Sequence, residues 1–131
     1  MMSSATRSII VVDDEIELAT LFKTFLNQQG YNTISFVDPA LAWEYFKDTS
    51  DKHSLIITDL RMPGLNGIEL AKKVRELNAN IKIFLITAFE TRDLENHVDF
   101  KMARIDRLIQ KPVRFSDLKE MIKDACKTGF R

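Results

Sequence analysis

Residues 55–67 of the chain read LIITDLRMPGLNG and carry a charge where an apolar segment ends. Residues 55–58 have the composition of a strand that is buried in a protein core, and Asp59 follows them directly. Pro63 and two glycines then change the direction of the chain. We therefore predict that Asp59 lies at the rim of a sheet, beside a rigid loop, and that it has a chemical role.

Strand-like and helix-like segments alternate five times around this stretch. Continuous apolar runs predict buried strands, and apolar residues spaced by three and four predict amphipathic helices. Asp38 and Pro39 are typical of a helix start, and Gly30 is typical of a helix end. Strands are predicted at residues 8–12, 31–36, 54–59, 81–87 and 105–110, and helices at 15–30, 38–48, 66–77, 91–102 and 115–127.

This alternation predicts a doubly wound α/β fold. Buried strands that are joined by helical crossovers form a parallel sheet, and right-handed crossovers cover both of its faces. The prediction is a (βα)5 three-layer sandwich with a five-stranded parallel sheet in the strand order 2-1-3-4-5. We expect one domain over residues 8–127, a flexible N-terminal segment at 1–7 and a C-terminal tail at 128–131.

The apolar spacing also predicts which helical residues face the core. Leu21 in the first helix and Leu77 in the third are expected to point inward. The fourth helix has the weakest pattern, which depends on Leu94, Val98 and Met102.

The composition is that of an ordinary globular protein. The 131 residues suffice for one core, and 19 basic residues balance 19 acidic ones. This balance gives no electrostatic case for binding nucleic acid or a membrane surface. The single cysteine, Cys126, favours a reducing compartment, and the sequence shows no membrane-spanning run and no signal peptide. We therefore expect a cytoplasmic protein without a direct nucleic-acid or membrane partner.

Five polar side chains fall at the carboxyl ends of predicted strands. They are Asp13 and Asp14 after the first strand, Asp59 in the third, Thr87 in the fourth and Lys111 after the fifth. In a parallel sheet these ends share one edge, and ligands bind there at the point where the strand order reverses. The five groups are therefore expected to converge on one crevice.

This set of groups suits metal-assisted phosphoryl transfer. Clustered carboxylates repel one another, so at least one should resist ionisation unless a cation joins them, and Mg²⁺ prefers such an all-oxygen site. Asp59 can then attack phosphorus to form an aspartyl phosphate. Thr87 can donate a hydrogen bond to a phosphoryl oxygen, and Lys111 can place a positive charge beside another.

Each residue also has a simpler interpretation. Asp13 or Asp14 alone could cap the first helix, and Lys111 alone would usually face solvent. Their occurrence together favours the crevice. His53 and His97 have no partners at metal-ligand spacing and are interpreted as incidental surface residues.

Two other classes of phosphate chemistry fit the sequence less well. An enzyme of the haloacid-dehalogenase type needs a second aspartate two positions after the nucleophile, where this chain has Arg61. A nucleotide-binding module needs a Gly-rich loop after the first strand, where residues 11–15 read VVDDE.

The chain resembles the receiver domain of two-component response regulators in four separated motifs: VVDDE, LIITDLRMPGLNGIEL, LITA and QKPV. The resemblance covers nearly the whole chain and implies that Asp59 is the phosphoacceptor. It implies that Asp14 ligates Mg²⁺ directly, Asp13 mostly through water, and Arg61 through its backbone carbonyl. Thr87 and Lys111 match the hydroxyl and the lysine that respond to the phosphoryl group, and the peptide bond before Pro112 is expected to be cis.

The same resemblance implies a function. The domain would accept a phosphoryl group from a sensor histidine kinase, a phosphotransfer protein or a small phosphodonor. It would then change the face formed by the fourth helix, the fifth strand and the fifth helix, which would control a downstream protein or output domain or form a dimer. It would catalyse no reaction beyond its own phosphorylation and dephosphorylation. The alternative is a receiver-like interaction module that works without phosphate.

The sequence departs from the family pattern near this face. Leu108 stands where receivers commonly carry an aromatic ring that swings inward on phosphorylation, and Arg104 stands where they favour glycine. Arg104 therefore predicts a different turn or some strain. We expect the switch to run through Thr87 and its adjoining loop.

Arg61 and Phe89 flank the path of attacking water, and the bulk of Phe89 predicts slow self-dephosphorylation.

Overall fold

A computed structural model describes residues 8–88, 94 and 97–127, with the backbone alone for residues 126 and 127. The predicted alternation of five strands and five helices is confirmed. The predicted N-terminal segment 1–7 and tail 128–131 lie outside the described residues. The elements are β1 (Ser8–Val12), α1 (Ile16–Gln28), β2 (Asn32–Phe36), α2 (Pro39–Thr49), β3 (Leu55–Asp59), α3 (Gly67–Leu77), β4 (Lys82–Thr87), α4 (Val98–Ala103), β5 (Arg107–Gln110) and α5 (Phe115–Lys127).

The sheet has the predicted strand order, β2-β1-β3-β4-β5, and all four pairs of neighbouring strands are parallel. The order reverses at β1, which lies between β2 and β3. Because Val12 is paired with Thr58, Asp13 and Asp59 come next in register on adjacent strands. The register of the sheet therefore brings these two carboxylates to the same edge.

Two hydrophobic cores cover the two faces of the sheet, as expected for three layers. Alternate residues of β1 point to opposite faces, so Ile9 and Val11 enter one core and Ile10 and Val12 enter the other. The first core contains Phe22 of α1 together with residues of α5, and the second contains residues of α2 and α3.

Local signals fix the helix ends. The Asp38 carboxylate accepts a hydrogen bond from the Ala40 N–H at 2.9 Å, which caps α2 as predicted. Asn66 and Glu69 form a reciprocal capping box at the start of α3. Gly30 follows α1 with a φ of 96°, a conformation that glycine adopts without strain.

Two of the predicted inward-facing residues are exposed. Leu21 is 52% exposed because the buried stripe of α1 runs through Ala19, Phe22 and Leu26, on another side of the helix. Leu77 is 49% exposed because it is the last residue of α3, beyond the turns that pack on the sheet.

The fourth helix differs most from its prediction. It begins at Val98 rather than at residue 91, and the His97 ring caps it by accepting a hydrogen bond at Nδ1 from the Asp99 N–H at 3.3 Å. Val98 and Met102 are 67% and 53% exposed, so these two predictions are wrong, and Phe100 and Ala103 pack inward instead. Leu94 packs inward as predicted. Residues 91–93, 95 and 96 lie outside the described residues. Within the described ranges, no helix is both long and apolar enough to span a membrane.

Candidate functional site

Three carboxylates meet at the carboxyl edge of the sheet. Asp13 and Asp14 follow β1, and Asp59 is the last residue of β3. Each of them offers an oxygen, and the three oxygens lie within 4.8 Å of one another. Asp13 and Asp59 are buried, whereas Asp14 is exposed to solvent. The predicted convergence of the three aspartates is present in the structure.

Asp59 is held on both of its carboxylate oxygens. Oδ1 accepts a hydrogen bond from the Leu60 N–H at 2.9 Å, and Oδ2 lies 3.4 Å from the Lys111 ammonium. The same ammonium lies 3.9 Å from Oδ2 of Asp13. Lys111 therefore lies in the same crevice as the aspartates, as predicted, and in this structure it links the two buried carboxylates.

The neighbouring strand ends bring Thr87 and Lys111 to the same edge. Thr87 is the last residue of β4 and is fully buried. The Lys111 N–H donates to the Thr87 carbonyl at 2.8 Å, which ties the two residues together through the backbone. The Lys111–Pro112 peptide bond is cis, as the resemblance implied.

The buried carboxylates are costly to ionise. The pKa of Asp13 is raised to about 6, mainly because burial removes the carboxylate from water, and the Asp59 charge adds to the rise. Burial also raises the pKa of Asp59, and Lys111 opposes that rise. The predicted resistance to ionisation is therefore present, but burial contributes more to it than mutual repulsion does.

These groups fit a hard divalent cation. The donor set consists of carboxylate oxygens, which Mg²⁺ prefers, and three negative charges face one lysine. Arg61 follows Asp59 by two residues and is exposed, so its backbone lies in the loop at the edge of the site. Phe89, which was predicted to shield the site from water, lies outside the described residues.

Sequence reasoning missed two parts of the support around Asp59. One is the Leu60 N–H that binds its carboxylate, and the other is the close approach of Gly67 to the backbone of Asp59. Gly67 is the first residue of α3, as the predicted helix at 66–77 implies, and it packs against the Asp59 carbonyl oxygen. The spacing of a glycine at a helix start, eight residues after a strand-end aspartate, was the available signal.

The two family departures have clear structural settings. Leu108 is half-buried and packs on a small cluster that includes Leu60 and Leu85, so an aliphatic side chain fills this position. Arg104 adopts the left-handed conformation at φ 50°, ψ 56°, which confirms the predicted strain. Its carbonyl accepts a hydrogen bond from the Arg75 guanidinium at 2.9 Å.

The prediction that His53 is a surface residue is wrong. Its ring is buried between two hydroxyls, with Nδ1 2.9 Å from Ser8 Oγ and Nε2 2.9 Å from Thr49 Oγ1. Burial lowers the pKa of His53 to about 4. A lone histidine gives no sequence signal for such a setting, because Ser8 is 45 residues away. His97 is exposed, as predicted, and caps α4.

Known proteins match the chain over nearly its whole length. A family model described as the response regulator receiver domain matches residues 9–123. The response regulator receiver protein CpdR of Brucella abortus (strain 2308) is 30% identical over 112 residues, which cover 86% of this chain and 90% of CpdR. Response regulator RppA of Synechocystis sp. is 30% identical over 110 residues, but these span 84% of this chain and only 46% of RppA.

A solved structure agrees in fold and in sequence. The response regulator protein TrrA from Thermotoga maritima, solved in complex with Mg²⁺–BeF, is 30% identical to this chain and gives a TM-score of 0.76. The match covers 91% of this chain and 98% of that structure.

Proposed function

Because the chain belongs to the response regulator receiver family of two-component systems, we propose that it accepts a phosphoryl group on the Asp59 carboxylate in a Mg²⁺-dependent reaction. The observation that carries the proposal is the meeting of three aspartate oxygens within 4.8 Å, with Lys111 beside two of the carboxylates. The TrrA receiver structure, which is 30% identical to this chain, was solved with Mg²⁺–BeF, and this supports a Mg²⁺-dependent reaction here.

The proposed chemistry is nucleophilic attack by a carboxylate. An Asp59 oxygen forms a bond to phosphorus, while the bond from phosphorus to the donor breaks and its electron pair leaves with the donor group. The donor is a phosphohistidine of a sensor kinase or phosphotransfer protein, or a small phosphodonor. The Leu60 N–H holds one carboxylate oxygen, which orients the nucleophile before the donor arrives.

The remaining residues stabilise charge. Asp13, Asp14, Asp59 and the Arg61 backbone carbonyl would hold Mg²⁺, which supplies positive charge against the carboxylates and the phosphoryl oxygens when it is bound. Lys111 would move from the carboxylates to a phosphoryl oxygen, because the ammonium already lies 3.4 Å from Asp59 Oδ2. Thr87, at the adjacent strand end, would donate its hydroxyl hydrogen to another phosphoryl oxygen.

The proposed output is a change on the face formed by α4, β5 and α5. The half-buried Leu108 offers no ring to rotate, so we expect the change to run through Thr87 and the loop after β4. Leu108→Ala should therefore preserve the difference in target binding between the phosphorylated and unphosphorylated forms. Equal binding of the two forms by this variant would contradict this route.

We also propose the setting in which the domain works. Its partners would be a sensor histidine kinase or phosphotransfer protein and a downstream protein or output domain, and the α4-β5-α5 face would bind that target or a second copy. We propose a cytoplasmic location, which the single cysteine favours. The chain would catalyse only its own phosphorylation and dephosphorylation.

Intact mass spectrometry tests the phosphorylation. The protein is incubated with Mg²⁺ and acetyl phosphate, and the parent chain should gain the mass of one phosphoryl group. Asp59→Asn should gain none, whereas Asp48→Asn, a matched change on an exposed residue of α2, should behave like the parent. A parent chain that gains no phosphate would favour the receiver-like interaction module instead.

A further inference from the structure

Gly67 occupies a position where no side chain fits. It is the first residue of α3 and is buried against the end of β3. A Cβ built on Gly67 would collide with the Asp59 carbonyl oxygen and would lie 2.8 Å from Leu85 Cδ1 and 3.0 Å from the Asp59 carbonyl carbon. The nearest obstacle is thus the backbone of Asp59, which cannot rotate away as a side chain can.

The backbone conformation does not explain the glycine. Among the described glycines, Gly30 and Gly64 have a positive φ, and Gly67 does not. Glycine is also a poorer helix former than alanine, because it loses more conformational freedom on folding. The sequence therefore accepts a poor helix former at a place where only its lack of a side chain is useful.

The same contact belongs to a set of interactions that hold the end of β3. The Gly67 N–H donates to the Leu60 carbonyl at 2.9 Å, and the Leu60 N–H lies 2.9 Å from both the Ile86 carbonyl and Asp59 Oδ1. The Thr58 hydroxyl donates to the Asp59 carbonyl at 3.0 Å. Movement of Asp59's backbone would therefore disturb the amide that orients its carboxylate.

We propose that Gly67 is a positioning residue for phosphoryl transfer: its lack of a side chain lets the first turn of α3 lie on the Asp59 carbonyl and thereby fixes the direction of the Asp59 carboxylate. The proposal rests on the proposed function. It assigns Gly67 no contact with the phosphoryl group or the metal. Gly67 acts only through the backbone of Asp59 and Leu60.

The test compares Gly67→Ala with the parent in two measurements. The rate of phosphorylation by acetyl phosphate, measured well below the unfolding temperature, should fall at least about tenfold, since small displacements of a reacting group have effects of this size. Hydrogen exchange of the Leu60 amide in the metal-free protein should become faster, because its two acceptors shift. The second measurement does not depend on Mg²⁺ or on phosphorylation.

Leu85→Val separates the two contacts that a new methyl group would make. This change removes Cδ1 of Leu85 and leaves the Asp59 carbonyl in place. In the double variant Gly67→Ala/Leu85→Val, phosphorylation should remain as slow as in Gly67→Ala, while Leu85→Val alone should react like the parent. If Gly67→Ala alone does not fold, the double variant is compared with Leu85→Val instead.

Each outcome decides the proposal. A parent-like rate and parent-like Leu60 exchange in Gly67→Ala would overturn it, and so would recovery of the parent rate in the double variant, since the glycine would then act through packing on Leu85. If the parent itself gains no phosphate, the proposed function fails, and Leu60 exchange still decides whether Gly67 fixes the end of β3.

Discussion

Two buried charged sites in this molecule are built in opposite ways. The Arg75 guanidinium, on α3, is 6% exposed, and its Nε donates to the Ala103 carbonyl at 2.8 Å. The other nitrogens bind further backbone carbonyls and the Asp106 carboxylate, so every side of the group has an acceptor. In the acidic pocket, three carboxylates face one ammonium, which leaves two negative charges without a matching cation among the groups that meet there.

This difference in charge balance distinguishes a site that stabilises the fold from a site that is suited to bind a cation. Arg75 joins the end of α3 to the turn between α4 and β5, and its charge is balanced by Asp106. The pocket instead keeps buried carboxylates whose pKa values are raised, which costs folding free energy at neutral pH. A bound cation would offset that cost, so cation binding should stabilise the folded protein.

The largest expected effect is on the Arg75 site. Arg75→Met should lower the free energy of unfolding by about 3–5 kcal/mol, because it leaves several buried carbonyls without their donor and removes the cation beside Asp106, which retains the hydrogen bond from the Ile83 N–H. Urea unfolding checks this. The matched control is Arg107→Met, which breaks an exposed pair with Asp124 at 3.6 Å and should cost about 0–1 kcal/mol. Similar losses in both variants would show that the buried Arg75 contacts stabilise the fold no more than an exposed ion pair does.

Removal of a charge from the acidic pocket should stabilise the fold, in contrast to removal of the Arg75 charge. Asp13→Asn should raise the free energy of unfolding of the metal-free protein at pH 7 by about 1–3 kcal/mol, since a pKa that is raised from 3.8 to about 6 corresponds to a cost of this order. The hydrogen bond from the Glu15 N–H can be kept, because asparagine retains an acceptor oxygen. Destabilisation by Asp13→Asn would contradict the comparison.

The pH dependence of the same variant gives a second test of the cost of burying Asp13. The folded parent takes up a proton on Asp13 near pH 6, before the unfolded chain does, so the cost is present above pH 6 and is lost as the pH falls towards 3.8. The advantage of Asp13→Asn should therefore shrink over this range. His53 has the opposite effect on stability: its pKa of about 4 means that the fold loses stability as the pH falls below 6.5. This contribution is the same in the parent and in Asp13→Asn, so it cancels in the difference between them.

Mg²⁺ binding should raise the free energy of unfolding by less than Asp13→Asn can. A cation that binds only the folded protein raises the free energy of unfolding by about 1.4 kcal/mol when its free concentration is roughly ten times the Kd. The increase should be weaker in Asp13→Asn and absent in a double variant that also carries Asp59→Asn. Ca²⁺ and K⁺ titrations at matched ionic strength separate specific binding from screening. Equal stabilisation of all variants would indicate screening alone.

The smallest effect is expected at Arg104. Arg104→Gly should raise the free energy of unfolding by less than about 1 kcal/mol, because relief of the left-handed strain is partly offset by the greater freedom of glycine in the unfolded chain. The carbonyl of residue 104 remains available to Arg75. Urea unfolding with Arg104→Ala as the control, which keeps the strain, measures the difference. A loss of stability in the glycine variant would show that the Arg104 side chain itself is needed.

The residues that the sequence predicted correctly are those whose position follows from strand ends. Asp59, Thr87 and Lys111 could be placed because parallel strands end at one edge whatever packs around them. Arg75 and His53 were missed because their partners lie far away in the sequence, such as Ala103 for Arg75 and Ser8 for His53. Such contacts depend on tertiary packing, which local patterns do not encode.

The misplaced helical residues show the same limit. The spacing of Val98 and Met102 describes a stripe correctly, but nothing local says which stripe of a short helix faces the core. In the structure, Phe100 and Ala103 face it instead. The contact of Gly67 with the Asp59 carbonyl was missed because the sequence around a glycine does not show which residues pack against it in the fold.

Locating the phosphoryl group tests whether Asp59 is the phosphoacceptor. After incubation with acetyl phosphate and Mg²⁺, borohydride converts an aspartyl phosphate to homoserine, and peptide mass spectrometry identifies the position. We predict homoserine at position 59 in the parent, and none after chelation of Mg²⁺ or in Asp59→Asn. Homoserine at Asp13 or Asp14 instead, or phosphate uptake by Asp59→Asn equal to that of the parent, would contradict the assignment of the pocket.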